Sequence, residues 1–455
     1  MEHQHGQKDL VTNRTANLLM EKKSVKNQAG LASRAAASEI VWRVLIDGTY
    51  IDEAFVKVVG DFKLDPRDRA LVRAISATTI RRLGQIKAVL DQHMKRSLPP
   101  KFAHASCIMQ TACAQILFME IPDHAAIDLA VAQLRSQRKL HHLSGMANAV
   151  LRKVITAKSD VESQSDSGRL NTPKWLWQLW AKDYGKPVAV MIADAHMSEA
   201  ALDLSLKSDV IAPPGTKLPT GSLRLDAGHG RIEDLAGYMQ GNWWVQDVAA
   251  SLPVKLLKNV AGKTVADLCA APGGKTMQLA TADGLVTAVD ISERRLSRVK
   301  ENLARVGLEA NFVCTDILQW QPEKLFDAVL LDAPCSATGT IRRHPDALYL
   351  KKSHDIDNLV KLQKKLLAKA AMLVKPGGEL VYCTCSLQKR EGELQIDAFL
   401  DHNENFQRHP VQPLELDGMA HLINQQGDVR TLPHFPVGDS LGMDGFFITR
   451  LTRKN

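Results

Sequence analysis

The sequence predicts a multidomain chain, an all-α N-terminal domain followed by an α/β domain built on a parallel sheet. Three observations carry that prediction. Between Leu31 and Thr156 apolar residues recur at helical spacing (Ile40, Val41, Val44 and Leu45, then Ile116, Leu117, Ile127, Leu129 and Leu134), with little of the alternation a half-buried strand shows. From Gly262 short apolar runs alternate with helical stretches, the rhythm of parallel strands joined by crossover helices. Three aspartates, Asp290, Asp316 and Asp332, fall at the carboxyl ends of strand candidates, where open parallel sheets bind ligands.

Taken in order, residues 1–30 read as a flexible polar tail with no apolar core followed by a cleavage site. Residues 31–156 form the helical domain, punctuated by Leu98-Pro99-Pro100 and Ile121-Pro122-Asp123. Ser159, Ser163, Ser165 and Ser167, set among acidic residues, mark 157–170 as a linker. Residues 171–252 are mixed, and Trp175, Trp177 and Trp180 are expected in the core of a helix pair. The α/β domain spans 253–455, with strand candidates at 264–268, 285–289, 311–314, 328–331 and 379–382. A helix over 359–374 places Leu362, Leu366, Ala370 and Leu373 on one face, and Lys375-Pro376-Gly377-Gly378 is expected to stop it.

A chain of 455 residues, 45% hydrophobic and 24% charged, is long enough for two or three domains with their own cores. Seven scattered cysteines suit a reduced cytoplasmic setting better than a disulfide framework. No stretch approaches the roughly 20 apolar residues that a bilayer span needs. The net charge of +8 is uneven, about +9 in residues 1–160 and −1 in the rest. A basic module joined to a near-neutral one fits a polyanionic partner, although a solvated basic helix surface would look the same.

Chemistry concentrates in the α/β half. The strand at 264–268 runs into Cys269-Ala270-Ala271-Pro272-Gly273-Gly274-Lys275, with a helix after it. Small residues let a ligand approach the backbone, and a helix start offers unpaired N–H groups to a carboxylate. Asp290, ending the next strand, is placed to accept from two ribose hydroxyls, and Asp316 could face an adenine edge; either could instead serve only as a helix cap. Cys383 and Cys385 are poorly spaced for zinc, so no metal is expected. If the strand persists they face opposite sides, leaving Cys383 in the core with Cys107, Cys113 and Cys314. Cys335 and Cys385 each follow a strand on the ligand side. A reactive thiol there needs nearby positive charge, for which Lys275, Arg342 and Arg343 are candidates.

Three motifs together closely resemble the RNA cytosine-C5 methyltransferases, above all the bacterial small-subunit rRNA branch known as Fmu/Sun. They are Asp267-Leu268-Cys269-Ala270-Ala271-Pro272-Gly273-Gly274-Lys275, Asp332-Ala333-Pro334-Cys335-Ser336-Ala337-Thr338-Gly339 with Arg342-Arg343-His344-Pro345-Asp346, and Tyr382-Cys383-Thr384-Cys385-Ser386. Asn242-Trp243-Trp244-Val245-Gln246-Asp247 and Asp444-Gly445-Phe446-Phe447 look like further elements of that family. The first third, including Asn148-Ala149-Val150-Leu151-Arg152, resembles its NusB-like RNA-binding helical domain.

The resemblance implies a NusB-like all-α domain and an α/β Rossmann-like class I methyltransferase domain dependent on S-adenosylmethionine. It implies that Cys269, Ala270, Ala271, Pro272, Gly273, Gly274 and Lys275, with Asp290, Asp316 and Asp332, hold that cofactor. It makes Cys385 the nucleophile that adds to carbon 6 of a cytosine and Cys335 the group that assists loss of the C5 proton and release. Spacing alone does not rank the two. Asp332 is implied to hold the base through its amino edge, instead or as well. The implied partner is 16S rRNA, naked or in early assembly, met by a cytoplasmic monomer without membrane attachment. The chemistry is coherent, because carbon 5 of a pyrimidine is weakly nucleophilic until a thiolate at carbon 6 makes it enamine-like. Where the family has a Leu-Arg-x-Asn stretch that would help position RNA, this chain departs with Ala201-Leu202-Asp203-Leu204-Ser205-Leu206-Lys207-Ser208. A tRNA target, a catalytically silent RNA-binding assembly factor and an amino-group methyltransferase are the rival readings. Intact thiols weigh against the second, and Asp332-Ala333-Pro334-Cys335 against the third.

Overall fold

The computed structural model describes residues 30–455 except 208, 209, 227 and 258, so the expected N-terminal tail lies outside the described residues apart from Gly30. The chain divides into two compact units. One holds residues up to Lys174 together with His344–Leu350, the other Trp175–Arg343 and Lys351–Asn455. No helix among the described residues is long and apolar enough to cross a membrane.

Among the described residues, the regular elements of the first unit are all helices. Its centre is Ala103–Phe118, in which every residue from Cys107 to Leu117 is buried. A helix apolar on all sides belongs in a core. Leu31–Trp42, Ile51–Phe62 and Pro66–Arg81 contribute to one apolar cluster, and Leu83–His93, Asp123–Ser136 and Ser144–Thr156 to another. Asp65 caps Pro66–Arg81 by accepting from Asp68 N at 2.8 Å, with Pro66 in the first turn, where its missing N–H costs nothing. Segment 157–170 differs from the linker expectation. It carries the short helices Lys158–Glu162 and Ser167–Asn171. Val161 joins the core, and Asn171 is buried, exchanging bonds of 2.9 and 3.1 Å with Gln85. The serine-rich composition hides these two anchors.

The second unit contains two main sheets. β1 (Asp203–Leu206), β2 (Gly215–Lys217), β3 (Leu223–Leu225) and β4 (Trp243–Val245) form an antiparallel sheet in the order β2-β3-β1-β4. The larger sheet has β5 (Thr264–Leu268), β6 (Leu285–Asp290), β7 (Asn311–Cys314), β8 (Phe326–Asp332), β9 (Val374–Thr384), β10 (Phe406–Arg408), β11 (Val429–Arg430) and β14 (Phe447–Arg453); a hairpin of β12 (Pro436–Val437) and β13 (Ser440–Leu441) stands apart. Its order is β10-β14-β9-β8-β5-β6-β7, parallel from β9 to β7 and antiparallel where β14 joins β9. The chain runs β5, β6, β7 to one side and resumes with β8 on the other side of β5, so the topological switch lies between β5 and β8.

The central strands are covered on both faces, as a parallel sheet requires. Val329, Leu331, Leu380 and Tyr382 belong to one core cluster, and Ala328, Leu330, Val381 and Cys383 to the other. Helix Glu293–Val306 buries Leu296, Val299, Leu303 and Val306 at helical spacing, begins at Ser292 and ends at Gly307 with φ 62°. Helix Ser353–Met372 stops two residues before the expected end, and Val374 opens β9. Lys375-Pro376-Gly377-Gly378 lies inside β9 at an irregularity opposite Phe326–Ala328, with Gly377 at φ 73°. Of the three tryptophans in Lys174–Tyr184, only Trp180 is fully buried.

Candidate active site

The turn after β5 is shaped by its own small residues. Cys269 sits at φ 62°, and Ala270 N donates to Val289 O at 3.1 Å. Gly273, at φ 102°, opens helix Gly274–Thr281 without a side-chain cap, and a Cβ there would lie 2.9 Å from Val299 Cγ1. The first backbone N–H groups of that helix are therefore open to an anion such as a carboxylate. Beneath the turn, buried Asp267 accepts from Thr276 Oγ1 at 2.6 Å, and burial pushes its carboxyl up to about 7.

Asp290 ends β6 and spends one acceptor position of each oxygen on backbone, Ser292 N at 3.0 Å and Ala271 N at 3.4 Å, with Arg295 Nη2 3.5 Å away. It thereby ties the turn to the neighbouring strand while each oxygen retains a further lone pair. Asp316 lies just past β7, half-buried, and accepts from Leu318 N at 2.9 Å within its own turn. Asp332, at the end of β8, receives Lys275 Nζ at 2.8 Å on one oxygen and Cys383 Sγ at 3.6 Å on the other. Lys275 is buried and also lies over the Phe446 ring at 5.4 Å. The turn and these aspartates suit a nucleoside cofactor with an amino-acid tail: uncapped N–H groups for the carboxylate and acceptors at successive strand ends for ribose and base.

The two thiols meet. Cys335 Sγ and Cys385 Sγ are 3.4 Å apart, both half-buried. Their loops are joined through backbone, with Gly339 N donating to Cys385 O at 2.9 Å and Gly445 N to Gly339 O at 2.9 Å. A Cβ on Gly339 would fall 1.9 Å from Gly445 O, so only glycine permits this approach. The bond to Cys385 and burial hold the Cys335 thiol well above the usual thiol range.

Several expectations are corrected here. Cys383 and Cys385 do not face opposite sides: β9 ends at Thr384, residues two apart on a strand share a face, and both cysteines pack against the same core cluster. Cys383 is buried, yet its sulfur touches Asp332 instead of being remote from the site. Cys107 and Cys113 are buried, whereas Cys314 is exposed because it ends an edge strand. Neither arginine is a free cation beside the thiols. Arg343 pairs with Asp247 at 2.5 Å and Asp444 at 3.1 Å, and Arg342 Nη2 lies 3.9 Å from Asp444. Lys275 is committed to Asp332. Motifs scattered through the chain thus converge in one buried charge cluster. Asp203, in the departing segment, is also buried and holds Arg224 through bonds of 2.7 and 3.0 Å. Sequence reading missed Glu391, which is fully buried and bonded to the residue following each thiol; nothing local marks it out.

A Gly-rich turn and aspartates at the strand ends of a parallel sheet, with two adjacent thiols, define a methyltransferase that depends on S-adenosylmethionine. Residues 254–452 match the model of the 16S rRNA methyltransferase RsmB/F family, and residues 31–156 that of the NusB family. Ribosomal RNA small subunit methyltransferase B of Vibrio cholerae is 34% identical over 408 residues, 84% of this chain and 92% of that protein. Its namesake in Salmonella arizonae is 32% identical, covering 92% and 98%. The crystal structure of PH0851 superposes with a TM-score of 0.73 at 23% identity, over 93% of this chain and 99% of that one, a likeness of fold. A methyltransferase homologue from Pyrococcus horikoshii gives 0.52 at 26% identity, over 63% and 96%. The chain belongs to the 16S rRNA methyltransferase RsmB/F family.

Proposed function

We propose that this enzyme methylates carbon 5 of a cytosine in small-subunit rRNA through a covalent adduct between Cys385 and carbon 6. The observation that carries the reading is the 3.4 Å separation of Cys335 and Cys385 at the strand ends beside Asp332. One ring placed there meets both sulfurs, and an enzyme of amino groups needs neither.

Cys385 adds to carbon 6, a carbon–sulfur bond forms, and the ring electrons move to carbon 5. The cofactor supplies a methyl electrophile to that carbon. Cys335, as thiolate, then takes the C5 proton, the electrons of the C5–H bond restore the ring double bond, and the carbon–sulfur bond breaks with its electrons leaving on Cys385 as thiolate. The hydrogen bond between the two thiols and burial raise Cys335, while the assignment of Cys385 as nucleophile and Cys335 as base is the one the family resemblance implies. To act as that base Cys335 gives up its own proton to solvent before it takes the one on C5. Asp332, which accepts from Lys275, also accepts from the exocyclic amino group of the base in this reading. The base must be unstacked to enter, so a loop nucleotide or a flipped one is required. The basic helical unit supplies phosphate contacts.

Purified protein, methyl-labelled S-adenosylmethionine and 16S rRNA from cells lacking the modification test the reading. Label should appear as 5-methylcytosine after nuclease digestion. Label in an amino-methylated base, or label only on tRNA, would overturn it.

A further inference from the structure

We infer that Glu391 is a positioning residue that holds the two thiols at reacting separation by bonding the residue that follows each of them. The inference rests on the reading that both thiols act on one ring. Glu391 lies on the turn Lys389–Glu391 after β9 and is fully buried. Its Oε1 accepts from Ser336 N at 2.9 Å and from Gln363 Nε2 at 2.9 Å. Its Oε2 accepts from Ser386 Oγ at 2.6 Å and from Ser336 Oγ. Ser336 follows Cys335 and Ser386 follows Cys385, so one carboxylate is bonded to both loops. Gln363 Nε2 also donates to Pro334 O at 2.9 Å, which brackets Cys335 from its other side. The Glu391 carbonyl accepts from Tyr382 OH at 2.8 Å and Thr384 Oγ1 at 3.3 Å, fixing the end of β9 that carries Cys385.

Burying a carboxylate is expensive unless its acceptor positions are filled, and here they are filled by neutral donors alone. Hydrogen bonds to a charged acceptor are roughly twice as strong as neutral ones, which suits a clamp that must hold two loops to within about 0.5 Å. The carboxylate also stands behind Cys335 and adds to what raises that thiol, after the bond to Cys385 and burial.

The test compares wild type with Glu391→Ala and Glu391→Gln in the full chain. Glu391→Ala should lower kcat about 10²-fold, the cost of misplacing reacting groups by an ångström, with KM for rRNA and for S-adenosylmethionine changed less than about twofold. Glu391→Gln should recover most of the loss, because the serine hydroxyls can turn from donating to accepting while the amide oxygen keeps Ser336 N and Gln363 Nε2. A second readout reports sulfur proximity directly. Diamide, which takes up two thiol hydrogens, should link Cys335 to Cys385 rapidly in wild type and slowly in Glu391→Ala, as mapped by mass spectrometry. Wild-type kcat and linking rate in Glu391→Ala would overturn the inference. So would a fall in stability and cofactor binding with the linking rate unchanged. If wild type leaves no methyl on rRNA while linking still depends on Glu391, the proposed chemistry falls and the clamp stands.

Discussion

Replacing Lys275 by Met removes the cation that answers Asp332. Lys275 Nζ and Asp332 Oδ2 are 2.8 Å apart, with side chains 10% and 29% exposed. Losing one partner of a buried pair costs ~3–5 kcal/mol, and the partial exposure of Asp332 sets the expected loss at the lower end, ~3 kcal/mol. Removing both charges in Lys275→Met/Asp332→Asn should return most of that, because no uncompensated carboxylate is left, with a coupling of ~2 kcal/mol. Equilibrium unfolding in urea at pH 7, followed by tryptophan fluorescence, measures Lys275→Met, Asp332→Asn and the double variant. Burial alone would lower the Lys275 ammonium, but the charge of Asp332 outweighs it and the net direction is upward from 10.5. A raised cation contributes stability that is complete below pH 10.5 and fades as pH rises beyond it, so no part of the effect should be lost between pH 6 and 9. A single variant within about 0.5 kcal/mol of wild type, or a double variant showing the sum of two losses, would refute the reasoning.

Gly339→Ala should lower kcat by about 10²-fold while calorimetric affinity for S-adenosylmethionine holds, since its Cβ strikes Gly445 O and displaces the loop that bonds Cys385; normal turnover would contradict this. Asp267 gives a pH signature. Its carboxyl is raised by burial from 3.8 to about 7, so the unfolded state binds fewer protons and stability falls as pH rises through that window, by up to ~4 kcal/mol. Asp267→Asn should flatten urea midpoints between pH 4 and 7, and an unchanged slope would show that another group carries it.

The most legible strand was β8, where Ala328-Val329-Leu330-Leu331 is an unbroken apolar run because the strand is covered on both faces. β5 and β7 also occupy the expected residues, although Asp267 interrupts the first and the second is an edge strand with no fully buried residue. β14 was not expected as a strand, since Phe447-Ile448-Thr449-Arg450-Leu451-Thr452-Arg453 carries two arginines; Arg450 is nonetheless buried, answered by Glu415 at 2.7 Å and Leu256 O at 2.9 Å. Partners so far away in sequence are invisible locally. The same holds at the site. Cys335, Cys385, Asp290, Asp316 and Asp332 announce themselves by lying at strand ends. Glu391 does not, because its meaning comes from Ser336 and Gln363, brought to it only by the sheet and its covering helix. Lys375-Pro376-Gly377-Gly378 was misread for a related reason: a bulge and a helix stop use the same residues.

The most direct measurement is denaturing electrophoresis of Cys335→Ala and Cys385→Ala after incubation with labelled 16S rRNA and S-adenosylmethionine. Cys335→Ala should accumulate a protein–RNA band that survives denaturant, because Cys385 can add but release is slowed, and Cys385→Ala should show neither band nor methyl transfer. A band with Cys385→Ala and none with Cys335→Ala would exchange the two roles; no band with either, alongside undiminished methylation, would contradict covalent catalysis by this thiol pair.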